Sequence, residues 1–289
     1  MAAFRVIIRV AALTTLAMLA FAGNSLLCRA ALGSHAIDPA SFTVIRLASG
    51  ALMLALIVSL RHGSALSHGS WISAVALFVY AAGFSFAYLS LPAATGALLL
   101  FGAVQATMIG IGLRRGERLA AMQVIGLLVA LGGLVGLLLP GVSAPPPIGS
   151  ALMLISGIAW GFYSLRGSAG GDPVRVTAGN FIRAVPFALL LVLFTHRDST
   201  FDSRGVVLAV ASGAITSGLG YAIWYSVLPT LKASHAATVQ LSVPVIAALG
   251  GIALLGESGS LRLALASFAV LGGIALVIFG KQRREDGAN

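Results

Sequence analysis

Charge is what this chain has least of. Only 9% of its 289 residues are charged while 58% are hydrophobic, and a mean hydropathy of +1.01 leaves too little polar surface to coat a water-soluble globule. Acidic residues are scarcest. All eight, Asp38, Glu117, Asp172, Asp198, Asp202, Glu257, Glu285 and Asp286, fall at predicted helix ends, in loops or in the tail. A carboxylate at mid-membrane is the usual relay of proton-coupled carriers and the usual anchor for cationic drugs, and this chain offers none. Its one cysteine, Cys28, sits inside an apolar run, which excludes an intrachain disulfide and a Cys-x-x-Cys pair. The five histidines never stand at ligand spacing, so neither metal nor cofactor is expected. There is no His-x-x-x-His, paired carboxylate or Gly-x-Ser-x-Gly, which argues against an intramembrane enzyme. No stretch remains for a soluble catalytic or nucleotide-binding domain, so a single-chain ATP-driven pump is excluded as well.

What is present is a series of long apolar runs. A helix needs about 20 apolar residues to cross a bilayer, and breaks at Gly, Pro, His and charge divide the chain into ten such segments, near 8–31, 39–60, 71–90, 93–113, 119–139, 149–166, 176–195, 205–227, 235–255 and 262–280. The formal net charge of +10 would suggest nucleic acid if the 18 Lys and Arg formed one face, but they are scattered between these runs and encode topology instead. With the N-terminus inside, twelve of the 18 lie on the cytoplasmic side, among them Arg61, Arg114, Arg115, Arg118, Arg166 and Lys232. Four lie outside (Arg29, Arg197, Arg204 and Arg262), and Arg46 and Arg183 fall within helices. That asymmetry predicts two cytoplasmic termini. A cleaved signal peptide ending at Ala20-Phe21-Ala22 is the competing reading of the start.

The chain also repeats itself. Gly116-Glu117 recurs 140 residues later as Gly256-Glu257, and the same offset carries Leu131-Gly132-Gly133-Leu134 onto Leu271-Gly272-Gly273-Ile274. An offset of 137 carries Tyr88 and Pro92 onto Tyr225 and Pro229, and Ile45-Arg46 onto Ile182-Arg183, while Asp38-Pro39 is echoed by Asp172-Pro173. These matches predict two five-helix units, 1–144 and 145–289, joined by the stiff Pro145-Pro146-Pro147 link. Because five is odd, the second unit enters the membrane from the opposite side, and inverted repeats of this kind are the architecture of carriers that work by alternating access.

On these residues the chain resembles the drug/metabolite transporter superfamily in its ten-helix EamA-type branch. The Gly-Glu pairs before helices 5 and 10, the helix-2 and helix-7 arginines and the Gly-Gly pairs carry the likeness. The opening Gly23-Asn24-Ser25 with Cys28-Arg29, and Ser41 to Arg46, look most like the bacterial aromatic amino-acid exporters of that branch. The resemblance implies an exporter in the bacterial inner membrane, with helices 1, 3, 4, 6, 8 and 9 around a central cavity and helices 5 and 10 peripheral.

Candidate site residues follow from the mid-helix aromatic and polar groups. Tyr80, Phe84 and Tyr88 share one face of helix 3, and Tyr221, Trp224 and Tyr225 share one of helix 8. Trp160 and Tyr163 on helix 6, Asn24 and Ser25 on helix 1, Gln105 and Thr107 on helix 4, and Thr238, Gln240 and Ser242 on helix 9 complete the set expected to line an apolar pocket with a few polar groups. An interfacial aromatic belt accounts equally well for Tyr88, Tyr225 and Trp71. Arg46 and Arg183, each about 7 residues into its helix, either snorkel and tie helix ends through carbonyls or gate one mouth and attract a substrate carboxylate. Pro186 and Pro244 are candidate hinges within helices 7 and 9. Glu117 and Glu257 are expected to cap the helices that follow them.

The expected protein is an all-α integral membrane exporter of amino acids, aromatic ones among them, or of similar small metabolites. It is expected to be facilitative, to work with no ion site, and to have the small molecule and the lipid bilayer as its partners. Export of another neutral metabolite or drug, and proton coupling, are the alternatives, a channel or scaffold being disfavoured because the chain supplies its own pseudo-symmetry. Assembly is open between monomer and homodimer.

Overall fold

The computed structural model describes residues 2–61, 68–114, 116, 119–141, 144–167, 172–195, 202–231 and 239–286. Glu117, Arg115, Arg118, Arg197, Lys232, His235 and Thr238 lie outside them. The described residues form ten helices: α1 (Ala2–Gly33), α2 (Pro39–Leu60), α3 (Trp71–Ala87), α4 (Ala93–Arg114), α5 (Ala121–Leu138), α6 (Pro147–Gly167), α7 (Pro173–Thr195), α8 (Ser203–Thr230), α9 (Ser242–Leu255) and α10 (Leu261–Asp286). Eight are long and apolar enough to cross a membrane; α3 and α9, at 17 and 14 residues, are shorter apolar helices.

Local chemistry explains where helices begin. Asp38 accepts the amides of Ala40 and Ser41 at 3.0 and 2.9 Å with Pro39 in the first turn, and Asp172 accepts that of Val174 at 2.9 Å ahead of Pro173. The two Asp-Pro pairs are therefore N-caps of α2 and α7, where proline's missing N–H costs nothing. Pro186 lies inside α7, whereas Pro244 is only the third residue of α9. Pro244 thus sits where backbone donors are unpaired anyway, and it breaks no internal hydrogen bond of the kind a mid-helix hinge requires.

Apolar side chains point outward as well as inward. Phe194 is 85% exposed and Phe268 81%, and Leu52, Leu193 and Leu261 are exposed too. Such an apolar outer surface is tolerable only against lipid. Inside, helices approach through small residues. A Cβ on Gly273 of α10 would stand 2.5 Å from the Gly126 carbonyl oxygen of α5, and one on Gly157 of α6 would stand 2.6 Å from the Leu100 carbonyl oxygen of α4. Gly133 and Gly273 are thus packing positions, while Gly132 and Gly272 have open space beside them.

The helix neighbours follow a pattern. α3 packs on α6 and α8 on α1; α4 packs on α6 and α9 on α1; α2 packs on α8 and α7 on α3. The pairs α2–α7, α4–α9 and α5–α10 join helices five apart in the order.

α8 departs from a regular helix. After Ser203–Val210 it widens into a π-helical stretch, Ala211–Leu219, before returning to α geometry over Gly220–Val227. Ser212, Thr216 and Ser217 of this stretch face inward, all three buried, in line with Gly205 and Ala209 before it and Gly220 and Trp224 after it. Gly213 in the same stretch leaves the Arg46 carbonyl and Ser49 of α2 no room for a Cβ, and Gly218 does the same for Met53.

A buried polar and aromatic cluster

The π stretch of α8 meets α1, α2 and α3 around Arg46. This side chain is 1% exposed and enclosed on all sides. Its Nη2 donates to the Tyr80 hydroxyl at 2.8 Å and its Nε to Ser217 Oγ at 3.5 Å, and its guanidinium carbon lies 5.1 and 4.9 Å from the Tyr80 and Phe84 ring centres. Asn24 of α1 completes the polar core. Its Nδ2 donates to the Tyr80 hydroxyl at 3.3 Å and its Oδ1 accepts from Ser212 at 2.7 Å, while Thr216, whose hydroxyl donates to the Ser212 carbonyl at 2.7 Å, lies 3.4 Å from the same oxygen. Nη1 of Arg46 has no hydrogen-bond partner among the described residues.

Aromatic rings wall this core. Trp160 of α6 stands 4.8 Å from Tyr80, 5.2 Å from Tyr163 and 5.3 Å from Tyr221, stacked on the last two. Phe21 of α1 packs on Tyr221 and Trp224, and Phe181 of α7 meets Tyr221 edge-on. The rings come from five helices, and contacts at these spacings close the cluster to a tight wall. Two hollows lie away from it. A cavity of about 290 Å³ is lined by Ser90, Thr95, Pro145, Pro146 and Glu257, and an apolar groove of about 890 Å³ runs outside α3, α4 and α6 past Trp71, Ile158, Phe162 and Arg114.

Polar ties hold both ends of the bundle above and below the cluster. Where α1, α3 and α9 finish, Arg29 Nε pairs with Glu257 Oε1 at 3.1 Å and its Nη1 donates to the Tyr88 and Leu89 carbonyls. Glu257 also accepts the Ala93 amide at 2.9 Å. It therefore serves the start of α4, in the other half of the chain, rather than capping α10 as its sequence position suggested. At the opposite end, Arg183 Nη1 donates to the carbonyls of His68 and Gly179 at 2.5 and 3.0 Å, and Asn180 accepts the Ser70 amide at 2.8 Å while donating to the Tyr163 hydroxyl at 3.4 Å.

Of the residues singled out from sequence, Asn24, Arg46, Tyr80, Phe84, Trp160, Tyr163, Tyr221 and Trp224 converge here. Others go elsewhere. Gln240 is half-buried in a helical residue pair just before α9, Thr107 donates to its own helix at Ala103, and Ser242 to Val239. Tyr88 is fully buried with its hydroxyl on the Ala93 carbonyl at 3.3 Å, so the belt reading fails for it; Trp71, 59% exposed at the start of α3, keeps that reading. Arg46 does not snorkel and stands at no mouth, whereas Arg183 ties a neighbouring segment through carbonyls. α7 begins at Pro173, which puts Arg183 ten residues in rather than about seven. Sequence reasoning missed Phe21, Phe181, Ser212, Thr216, Ser217 and the Arg29–Glu257 pair. Phe21 lies one turn from Asn24 on α1, and Ser212 and Thr216 stand four apart in line with Gly220 and Trp224 on α8, so both were legible as faces.

Among the described residues no three His, Cys, Asp or Glu side chains converge on a metal position. What the cluster offers is recognition: a cation, hydroxyl and amide groups, and flat apolar walls at the middle of a lipid-facing helical bundle. That is the interior of a polytopic membrane protein.

Comparison with known proteins agrees. Residues 147–279 match the EamA-like transporter family. The chain is 59% identical over 277 residues to an uncharacterised Pseudomonas aeruginosa protein, covering 94% of this chain and 96% of that one, and 26% identical over 263 residues to an uncharacterised transporter of Archaeoglobus fulgidus, covering 85% and 89%. A solved crystal structure at 20% identity shares the fold, with a TM-score of 0.67 over 92% of this chain and 97% of that one. Residues 147–279 form an EamA-like transporter domain, and the protein is a multi-pass membrane transporter of small molecules.

Proposed function

We propose that the protein is a facilitative exporter of amino acids or similar small metabolites in the bacterial inner membrane, working by alternating access. The observation that carries this reading is the central cluster itself. Asn24, Arg46 and Tyr80 come from the first half of the chain and Trp160, Tyr163, Ser212 and Tyr221 from the second, so relative motion of the halves opens or seals it. The neighbour pattern that maps α3–α6 onto α8–α1 and α2–α8 onto α7–α3 supports two inverted units, 1–144 and 145–289. On this reading the Arg29–Glu257 tie closes the periplasmic end, the Arg183 and Asn180 ties close the cytoplasmic end, and Pro186 is the hinge left within a helix. The substrate meets Asn24, Tyr80, Phe84, Trp160, Tyr163, Tyr221 and Trp224, with Gln240 near the cytoplasmic approach. The flat rings favour substrates with an aromatic or apolar body.

The test is counterflow of labelled phenylalanine and 3-phenylpropionate in proteoliposomes of the purified protein. Saturable exchange that needs no pH gradient is expected; an absence of exchange, or uptake abolished by a protonophore, overturns the reading. Trp160→Phe should keep more exchange than Trp160→Ala, since the stack with Tyr163 and Tyr221 survives. A reporter active only in the cytoplasm should work at Arg114 or Asn289 and fail near Pro146.

A further inference from the structure

Arg46 is a buried cation without a counter-charge among the described residues. The described ion pairs are Arg29–Glu257 and Arg175–Asp172. Glu257 is committed to Arg29 and the Ala93 amide, and Asp38, Asp172 and Asp202 cap α2, α7 and α8. Nor can the neutral neighbours meet the need of Nη1. The Tyr80 hydroxyl oxygen already accepts from Arg46 Nη2 and Asn24 Nδ2, and Asn24 Oδ1 accepts from Ser212 and makes no bond to Nη1. A guanidinium taken out of water with one nitrogen unmatched is costly unless an anion joins it. The helix around it is specialised too, because the π stretch that brings Ser217 to Nε is the kind of irregularity that recurs at working sites.

The geometry points to Arg46 as the anchor for a carboxylate on the transported molecule, and so to organic acids with a flat apolar body as the substrate class. Guanidinium and carboxylate match as two planar forks, and a charge-assisted pair gains strength in a low-dielectric surround. Trp160, stacked on Tyr163 and Tyr221 and beside Tyr80, provides the surface for the body. No carboxylate in the cluster faces an ammonium group, so an α-amino group is tolerated rather than required: aromatic amino acids and their deaminated acids share the anchor, and amines lack it. Since the cluster is sealed in the present conformation, the anion joins Nη1 when the ring wall parts.

This inference rests on the transporter reading, and three probes on the wild-type protein separate the two. Binding of 3-phenylpropionate, 3-phenylpropanamide and phenethylamine is measured by thermal stabilisation of the full chain in detergent and by exchange in proteoliposomes. The acid should bind at least about tenfold more tightly than the amide or the amine. Arg46→Gln should erase that preference, reducing acid affinity to that of the amide. Equal affinity for acid and amide, with exchange of both intact, overturns the carboxylate anchor and leaves the carrier standing; failure of all three to bind or exchange removes both. Should Arg46→Gln not fold, the wild-type comparison of acid with amide decides, and Ser217→Ala, which frees Nε, should change acid affinity more than amide affinity.

Discussion

Arg46 and Arg183 occupy matching places in a repeated Ile-Arg dipeptide, yet the structure puts them to opposite uses. Arg46, seven residues after the start of α2, is sealed among Tyr80, Phe84 and Ser217; Arg183, ten residues after the start of α7, is half-buried and ties the His68 carbonyl beside Trp71. Depth along the helix is about 10 Å for the first and about 15 Å for the second, so the deeper residue is the more exposed. The covering helix decides. α8 spans 28 residues and lays its π stretch over Arg46, while α3 spans only 17 and begins beyond Arg183, leaving the backbone at His68 to Ser70 to meet it. The two halves are thus similar in neighbour pattern and unequal where recognition is concerned.

The largest expected effect tests this inequality directly. Arg46→Gln should lower exchange of 3-phenylpropionate by about ten- to a hundredfold, the range for losing a hydrogen bond to a charged group. Arg183→Gln should lower it less, because a carbonyl tie at one end is lost and the cluster is left whole. Comparable losses in both variants would mean that the repeat, and not the burial, sets the role.

The two ends of the bundle come next. Glu257→Gln removes a partly buried charge from Arg29 and should cost about 1 to 3 kcal/mol in the detergent unfolding midpoint, against about 0.5 to 1.5 kcal/mol for Asn180→Ala at the other end, where neutral hydrogen bonds are lost. Cys28, buried one residue before Arg29, is the chain's sole cysteine and reports on that end. Maleimide labelling of Cys28 should speed up about tenfold in Glu257→Gln and little in Asn180→Ala. The reverse order would show that the Arg183 end holds the closed conformation.

The smallest effect compares the caps. Asp38 accepts two amides and Asp172 one, so Asp38→Ala should destabilise by about 1 kcal/mol and Asp172→Ala by less. Equal costs would indicate that the Arg175 pair at 3.4 Å makes up the difference for Asp172.

The amino-acid sequence by itself determined the membrane character, the apolar helices and their approximate limits, the paired Asp-Pro caps and most rings of the cluster. Composition and spacing act locally, and a helix in lipid must satisfy its own backbone wherever it runs. Tertiary structure alone decided which arginine is buried, which helix end Glu257 serves, and that Ser217 meets Arg46. Each depends on residues far apart in the chain: Arg29 with Glu257, Arg46 with Ser217, Arg183 with His68. The short α3 withholds from Arg183 the cover that α8 gives Arg46, and neither helix is a neighbour in the chain of the arginine it covers or leaves open.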